Sequence, residues 1–205
     1  MDINDLLQGN LPDGLLDVLT SQIGAQNRQQ TQTAASGVVN SIIGALNRNT
    51  NNSAGASALA SALDRDHDGS ILDDVVGMLS GQRQPQNSSM LNGAGILKHV
   101  LGARQGGVVD MISKMSGLNS NQSGSLLTTL APLILGALGR QKKQQNMDAG
   151  GLSDFLTKTV QGHASKSAQM GLVEKLLDSD GDGSVMDDLA GIGMKMMGSF
   201  FRRRR

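Results

Sequence analysis

The sequence lacks cysteine, tryptophan and tyrosine altogether, and it contains only three phenylalanines. Without cysteine the chain can form no disulfide bond, offer no thiolate to a metal and use no cysteine nucleophile. Because aromatic side chains are nearly absent, any hydrophobic core must be built from Leu, Ile, Val, Met and Ala. Because the aromatic and β-branched runs typical of strands are almost absent, the composition favours an all-α fold. The length, 205 residues, allows one large domain or two small ones.

Signals for export and for membrane insertion are also missing. The first five residues carry acid where a signal peptide needs basic residues, and no apolar core segment follows them. No apolar run approaches the roughly 20 residues that a membrane span requires. The formal net charge at pH 7 is zero. These features predict a cytoplasmic protein without a transmembrane segment.

Two acidic segments, 64–74 and 178–188, share the pattern Asp-x-Asp-x-Asp-Gly-Ser followed by Asp-Asp. A calcium loop of the EF-hand type has oxygen ligands at positions 1, 3, 5 and 7 and a sharply turning glycine at position 6. Both segments match at these positions, the serine offering its backbone carbonyl, and an all-oxygen shell favours Ca²⁺. The predicted ligands are Asp64, Asp66, Asp68 and Ser70 in the first loop, and Asp178, Asp180, Asp182 and Ser184 in the second.

Both loops depart from the standard pattern at position 12, where a bidentate glutamate is expected but an apolar residue stands. The position-7 serine can act as the N-cap of a capping box, which would start the exiting helix early. The aspartate at position 10 would then lie where the position-12 glutamate normally binds the ion. The position-11 acids are the alternative, or they only complement the helix N-terminus. These candidates are Asp73 and Asp74 in the first loop and Asp187 and Asp188 in the second.

The acidic residues are concentrated in these loops, which hold ten of the 18 in the chain; the only glutamate, Glu174, lies outside them. Five carboxylates within eleven residues repel one another unless a cation neutralises them. Calcium binding should therefore stabilise the fold. An ordinary aspartate-rich turn is the alternative to a cation site.

Apolar spacing predicts helices through the first half of the chain. Leu15, Leu19 and Ile23 share one helical face. The segments predicted as helices are a short one before a break at 11–13, one ending at Gly24, one carrying the stripe Ala35, Val38, Val39, Ile42 and Leu46, one through Leu59 and Leu63, and 71–79. The segments predicted as connectors are 26–33 and 47–53.

The second half restarts after a predicted linker at 80–92. Pro132 lies inside a predicted helix, so the Thr128 carbonyl should lose its helical partner and the helix should kink there. A polar connector is expected over 141–151. The segments predicted as helices are 96–101 closed by Gly102, 108–115 closed by Gly117, 126–138, those around Phe155 and Leu172, and 185–201.

The two halves look like copies of one helix-helix-loop-helix unit. Segment 15–24 matches 108–117 at an offset of 93, and 42–48 matches 134–140 at an offset of 92. The predicted organisation is an N-terminal diverged repeat with the first loop (1–80), a helical repeat with the second loop (93–201) and a basic tail (202–205).

Three stretches, 95–109, 116–118 and 130–139, together with the terminal Leu-Leu-Asp-x-Asp-Gly-Asp-Gly-Ser pattern, give the chain a family resemblance. It resembles the YidB-like family of bacterial proteins of unknown function, with good coverage of the second half and a looser match in the first. The resemblance implies a compact multihelical fold and brings no established activity.

A nucleic-acid-associated regulator is the competing hypothesis. Segment 112–127 has the glycine and the apolar spacing of a helix-turn-helix, and the arginines 202–205 could contact anionic lipid or nucleic acid. However, the presumed recognition helix opens with Asn, Ser and Gln and has no cation to engage phosphate. A helix pair joined through a glycine cap and a solvated terminal charge cluster are the plainer interpretations.

No nucleophile–base pair, phosphate-binding glycine loop or paired carboxylates occur outside the two loops, so no catalytic site is predicted. The sequence therefore predicts a non-enzymatic calcium-binding helical protein whose loops act structurally or switch partner binding. Its expected partners are calcium ions and a protein partner or a second copy of the chain, with nucleic acid disfavoured.

Overall fold

The structure is a computed structural model that describes residue 6, residues 11–66 and residues 92–164. Within these ranges the chain is helical and contains no strand, which confirms the predicted all-α class. The helices are α1 Asp13–Ile23, α2 Arg28–Asn49, α3 Ser53–Asp66, α4 Gly93–Val100, α5 Gln105–Ser116, α6 Ser120–Gln144 and α7 Ala149–Ala164, with a 3₁₀ turn, Gly102–Arg104, between α4 and α5.

Two helix hairpins, α1–α2 and α5–α6, turn at glycines. Gly24 ends α1 with φ 65°, and Gly117 ends α5 with φ 75°. This left-handed conformation costs glycine little because it has no Cβ. Both glycines were predicted as helix stops, and both predictions are confirmed.

The core is one apolar cluster that draws on both halves of the sequence. The long helices α2 and α6 pack against each other, and α5 packs against both of them. The α2 positions predicted as an apolar stripe are all buried, as are Leu15, Leu19 and Ile23 of α1. Helix α3 packs against α7 and α6, so the chain leading to the first acidic segment lies at the end of α6.

The predicted connector at 26–33 is wrong for most of its length, because α2 begins at Arg28. Its first turn is stabilised by Asn27, whose side chain accepts a hydrogen bond from the Gln30 N–H at 3.0 Å. The predicted connector at 141–151 is also too long, since α6 continues to Gln144 and α7 begins at Ala149. In both places polar residues with adequate helix propensity extend a helix beyond its apolar stripe.

Helix α6 continues through Pro132 without interruption. It is the helix within the described ranges that is long and apolar enough, by length and composition, to cross a membrane. However, 72% of its most apolar window is buried inside the molecule. Its place at the centre of the core therefore accounts for its apolar character, and the absence of a transmembrane segment stays a prediction.

Several predicted elements lie outside the described residues. These are the short N-terminal helix apart from Leu6, the exiting helix 71–79, nearly all of the linker 80–92, the helices around Leu172 and over 185–201, and the basic tail.

Candidate functional site

Of the twelve predicted calcium ligands, Asp64 is the one whose side chain the structure describes. It lies in the last turn of α3, and Asp66 is the final residue of that helix. The others lie outside the described residues: Asp68, Ser70, Asp73, Asp74, Asp178, Asp180, Asp182, Ser184, Asp187 and Asp188.

Asp64 forms an ion pair with a lysine that the loop pattern did not anticipate. The Lys142 Nζ donates to the Asp64 Oδ1 at 2.6 Å. The Asp64 side chain is 66% exposed, whereas that of Lys142 is only 11% exposed. The hydrogen bond is charge-assisted, but the exposure of Asp64 to solvent limits its net contribution to that of a surface ion pair, about 0–1 kcal/mol. The first predicted ligand of the first loop therefore already has a cationic partner.

The position of Lys142 follows from the way α6 ends. Lys142 lies in the last turn, where a positive side chain complements the negative end of the helix dipole. Its own carbonyl accepts the Met147 N–H at 3.0 Å, and the Asn146 N–H bonds to the Lys143 carbonyl at 3.3 Å. This is the Schellman pattern, and Asn146 takes its left-handed position with φ 48°. The helix end is thus well defined, and the lysine stem is packed while its ammonium reaches Asp64.

A polar cavity of about 400 Å³ lies beside this ion pair. Its charged groups are the two ammoniums of Lys142 and Lys143 and the Asp64 carboxylate. The lining residues are Leu63, Asp64, Gly139, Lys142, Lys143, Asn146 and Met147. The cavity therefore carries an excess of positive charge at the point where α3 leads into the first acidic segment.

The described part of the chain contains no group of three or more His, Cys, Asp or Glu side chains placed to hold a metal ion. Asp64 would need further ligands from the segment that follows α3. The two calcium loops therefore stay a prediction. The structure gives the position of the Asp64 side chain, whereas the side chains of the other predicted ligands lie outside the described residues.

The predicted helix-turn-helix segment, 112–127, spans the end of α5 and the start of α6. Its polar side chains make internal hydrogen bonds. The Gln122 side chain donates to the Gly24 carbonyl at 2.7 Å, and the hydroxyls of Ser113 and Ser123 are hydrogen-bonded at 2.9 Å. From Leu126 onward α6 is largely buried. Nothing in this arrangement supports a helix free to enter a DNA groove.

One comparison with known proteins places the chain in a family. A family model described as a bacterial protein of unknown function, DUF937, matches residues 5–141. That span is well over half of the 205 residues. The chain belongs to this family. The DUF937 match includes α1 to α5, most of α6 and the first acidic segment, and it ends before α7 and the second acidic segment.

The match confirms the coarser part of the expected resemblance, a bacterial family of unknown function. The narrower YidB-like assignment stays a prediction. No curated protein and no solved structure matches the chain.

Sequence reasoning missed Lys142 as part of the site. It stands in a stretch predicted to be a polar connector, 78 residues from Asp64. The adjacent lysines at 142 and 143 could have indicated that a helix ends there, because basic residues are typical of the last turn of a helix. Their pairing with the acidic segment depends on the tertiary packing of α3 on α6.

Proposed function

We propose that this DUF937 protein is a non-enzymatic helical protein whose fold is stabilised by calcium bound at segments 64–74 and 178–188. The observation that carries this proposal is the repetition of one ligand pattern, Asp-x-Asp-x-Asp-Gly-Ser with a following Asp-Asp, at two places in the chain. Two independent turns would not need to share five acidic positions. The loops act structurally or as a cation-sensitive switch for a protein partner, in the cytoplasm.

The position of Asp64 supports the proposal. An EF-hand is a helix, a calcium loop and a second helix, so the first ligand belongs at the end of the entering helix. Helix α3 ends at Asp66, and Asp64 presents an exposed carboxylate in its last turn. Helix α3 therefore leads directly into the first loop. Because residues two apart on a helix do not face each other, its last turn would have to unwind for positions 1 and 3 of the loop to bind one ion.

The packing of α3 explains why calcium would stabilise the fold. Its buried face is made of Ala56, Ala60 and Leu63, which is a small apolar contribution for a helix of 14 residues. A cation that binds the folded loop and not the unfolded chain adds stability with its concentration, about 2.7 kcal/mol at a hundredfold excess over Kd. A cation bound at the end of α3 would therefore add stability to a helix with little buried apolar surface of its own.

The proposal treats the two loops as equivalent parts of a duplicated unit, and matching contacts in the two hairpins support this. The hydroxyls of Thr20 and Thr31 are hydrogen-bonded at 3.0 Å across α1 and α2. The hydroxyls of Ser113 and Ser123 are hydrogen-bonded at 2.9 Å across α5 and α6. These residues stand at the same offsets, 93 and 92, that relate the two halves in sequence.

Thermal unfolding followed by circular dichroism at 222 nm tests the proposal. The chain is first melted in EGTA and then with millimolar calcium or magnesium. We expect a higher midpoint with calcium than with magnesium, and loss of the calcium effect in the double variant Asp64→Ala with Asp178→Ala. The matched control is Asp110→Ala with Asp154→Ala, which removes two exposed carboxylates outside the loops and should keep the shift. An unchanged midpoint with calcium would refute the proposal.

A further inference from the structure

The cavity at the end of α6 offers both charged and apolar contacts to a small molecule. Its volume is about 400 Å³, and its charged groups are the ammoniums of Lys142 and Lys143 and the carboxylate of Asp64. Two ammoniums beside one carboxylate leave one positive charge in excess. Leu63 and Met147 are apolar residues of the same lining. The cavity therefore favours an anion that carries an apolar part, and it disfavours a cation.

Lys142 has hydrogen-bonding capacity that Asp64 does not use. An ammonium carries three N–H donors. Among the described residues, the Lys142 Nζ has one acceptor, the Asp64 Oδ1 at 2.6 Å. Because the Lys142 side chain is only 11% exposed, solvent has little access to the other two donors. A buried donor without an acceptor destabilises the fold, so an anion in the cavity would be bound in part by satisfying these donors.

The last turn of α6 does not repel an anion as an uncapped helix C-terminus would. The final carbonyls of a helix are a source of partial negative charge when they have no partner. Here the carbonyls of residues 141–143 each accept a backbone N–H from residues 145–147. None of these three carbonyls is left unpaired beside the cavity, and the two ammoniums are its main source of charge.

We infer that this cavity binds a small phosphomonoester, whose phosphate contacts Lys142 and Lys143 and whose apolar part contacts Leu63 and Met147. Lysine binds phosphate as a point charge, whereas the planar fork of arginine is the group that matches a carboxylate; the described lining has two lysines and no arginine. A phosphate carries a charge of about −1.5 to −2 at pH 7, more than a carboxylate, so it competes effectively with Asp64 for the Lys142 ammonium. The exposed Asp64 carboxylate can then turn to solvent. This binding does not require calcium at either acidic segment.

Calorimetric titration of phenyl phosphate into the full chain, in EGTA at low ionic strength, tests the inference. Inorganic phosphate, which lacks the apolar part, and benzoate, which has a carboxylate in place of the phosphate, are the comparison ligands. Lys142→Gln removes the buried ammonium, and Lys142→Met does so while keeping an apolar stem. The matched control is Lys158→Gln, which removes an exposed lysine on α7 outside the cavity. Circular dichroism at 222 nm establishes that each variant is folded.

We expect saturable binding of phenyl phosphate that is tighter than the binding of either comparison ligand. Both Lys142 variants should weaken it about tenfold or more, which is the usual effect of losing a hydrogen bond to a charged group. Lys158→Gln should leave it unchanged. Asp64→Asn should tighten it roughly two- to fivefold, because it removes the carboxylate that competes for Lys142 in an exposed ion pair. A folding defect cannot produce this gain in affinity.

Equal binding by the wild type and the Lys142 variants would mean an adventitious ion only and would overturn the inference. The absence of saturable binding by phenyl phosphate would overturn it as well. So would benzoate binding as tightly as phenyl phosphate, because a phosphate would then not be the group that is recognised. None of these results changes the expected effect of calcium on the unfolding midpoint, so the inference and the proposed function can fail separately.

Discussion

At Gly93 the backbone of α4 lies directly against that of α6. A Cβ built on Gly93 would stand 1.9 Å from the Thr128 carbonyl oxygen and 2.8 Å from its carbonyl carbon. That carbonyl is the one that Pro132, which has no N–H, deprives of its helical donor. The freed oxygen thus faces a glycine, where a Cα–H can approach it closely. The sequence predicted that the Thr128 carbonyl would lack its helical donor. It did not predict that Gly93 would pack against this oxygen.

Gly93→Ala should therefore destabilise the protein, since no flexible side chain can move aside and α4 must shift away from α6. We expect a loss of about 1–3 kcal/mol in the free energy of unfolding, the usual cost of overpacking. Urea denaturation followed at 222 nm measures it. The control is Gly106→Ala in α5, where an added Cβ meets no atom within 4 Å. Equal stability of the two variants would contradict the close approach.

Asp17 and Arg28 link the start of α2 to α1 on the surface of the hairpin. The Arg28 guanidinium donates to both carboxylate oxygens of Asp17, and it lies 3.5 Å from Asp13. The hydrogen bond from Arg28 lowers the pKa of Asp17 below its ordinary value. Because the folded pKa is then below the unfolded one, the contribution of this pair is present at neutral pH and is lost as the pH falls through the folded pKa.

Carboxyl NMR titration tests this coupling. In the Arg28→Gln variant we expect the pKa of Asp17 to rise toward its ordinary value, because the hydrogen bond and the nearby positive charge are both removed. Arg104→Gln, which removes an exposed arginine outside this hairpin, should leave the Asp17 titration unchanged. A titration curve that does not move in Arg28→Gln would show that the pair is not formed in solution.

At the scale of the helices, single residues determine where each helix begins and ends. Only some of these residues could be recognised in the sequence. Gly24 and Gly117 were predictable stops because glycine after an apolar stripe is typical of a helix C-terminus. The starts of α2 and α6 were missed, since Asn27 and Asn119 lie in polar runs that could equally be connectors. In the structure each caps its helix, and only the hydrogen-bond geometry distinguishes a cap from a neighbouring asparagine.

The N-terminal cap of α6 should contribute measurably to stability. The Asn119 side chain accepts the Gln122 N–H at 2.9 Å, and the Gln122 side chain accepts the Asn119 N–H at 3.0 Å, which is a capping box. Asn119→Ala should lower the free energy of unfolding by about 1 kcal/mol. Asn121→Ala, an exposed asparagine two residues along the same helix, should change it by less than about 0.5 kcal/mol. If both substitutions cost the same, the capping box does not contribute.

At the scale of the whole molecule, the all-α class and the apolar faces follow from composition and spacing, whereas the contacts between distant segments do not. Helical periodicity located the buried stripe of α2 because each residue there depends only on neighbours three and four positions away. The Lys142–Asp64 pair joins residues 78 apart, and no local pattern specifies it. The opposite holds for the two acidic segments. Their ligand pattern can be read from the sequence, but most of their residues lie outside the described part of the chain.

The measurement that tests the central claim most directly is the number of calcium ions bound per chain, determined by equilibrium dialysis against radioactive calcium at neutral pH. We predict two ions per chain at saturation, one in the variant Asp178→Ala with Asp180→Ala, and one in Asp64→Ala with Asp66→Ala. Magnesium in excess should displace little of the calcium, because it demands near-ideal octahedral geometry. No bound calcium in the wild-type chain at millimolar concentration would contradict the account, and the two acidic segments would then be ordinary turns and helix caps.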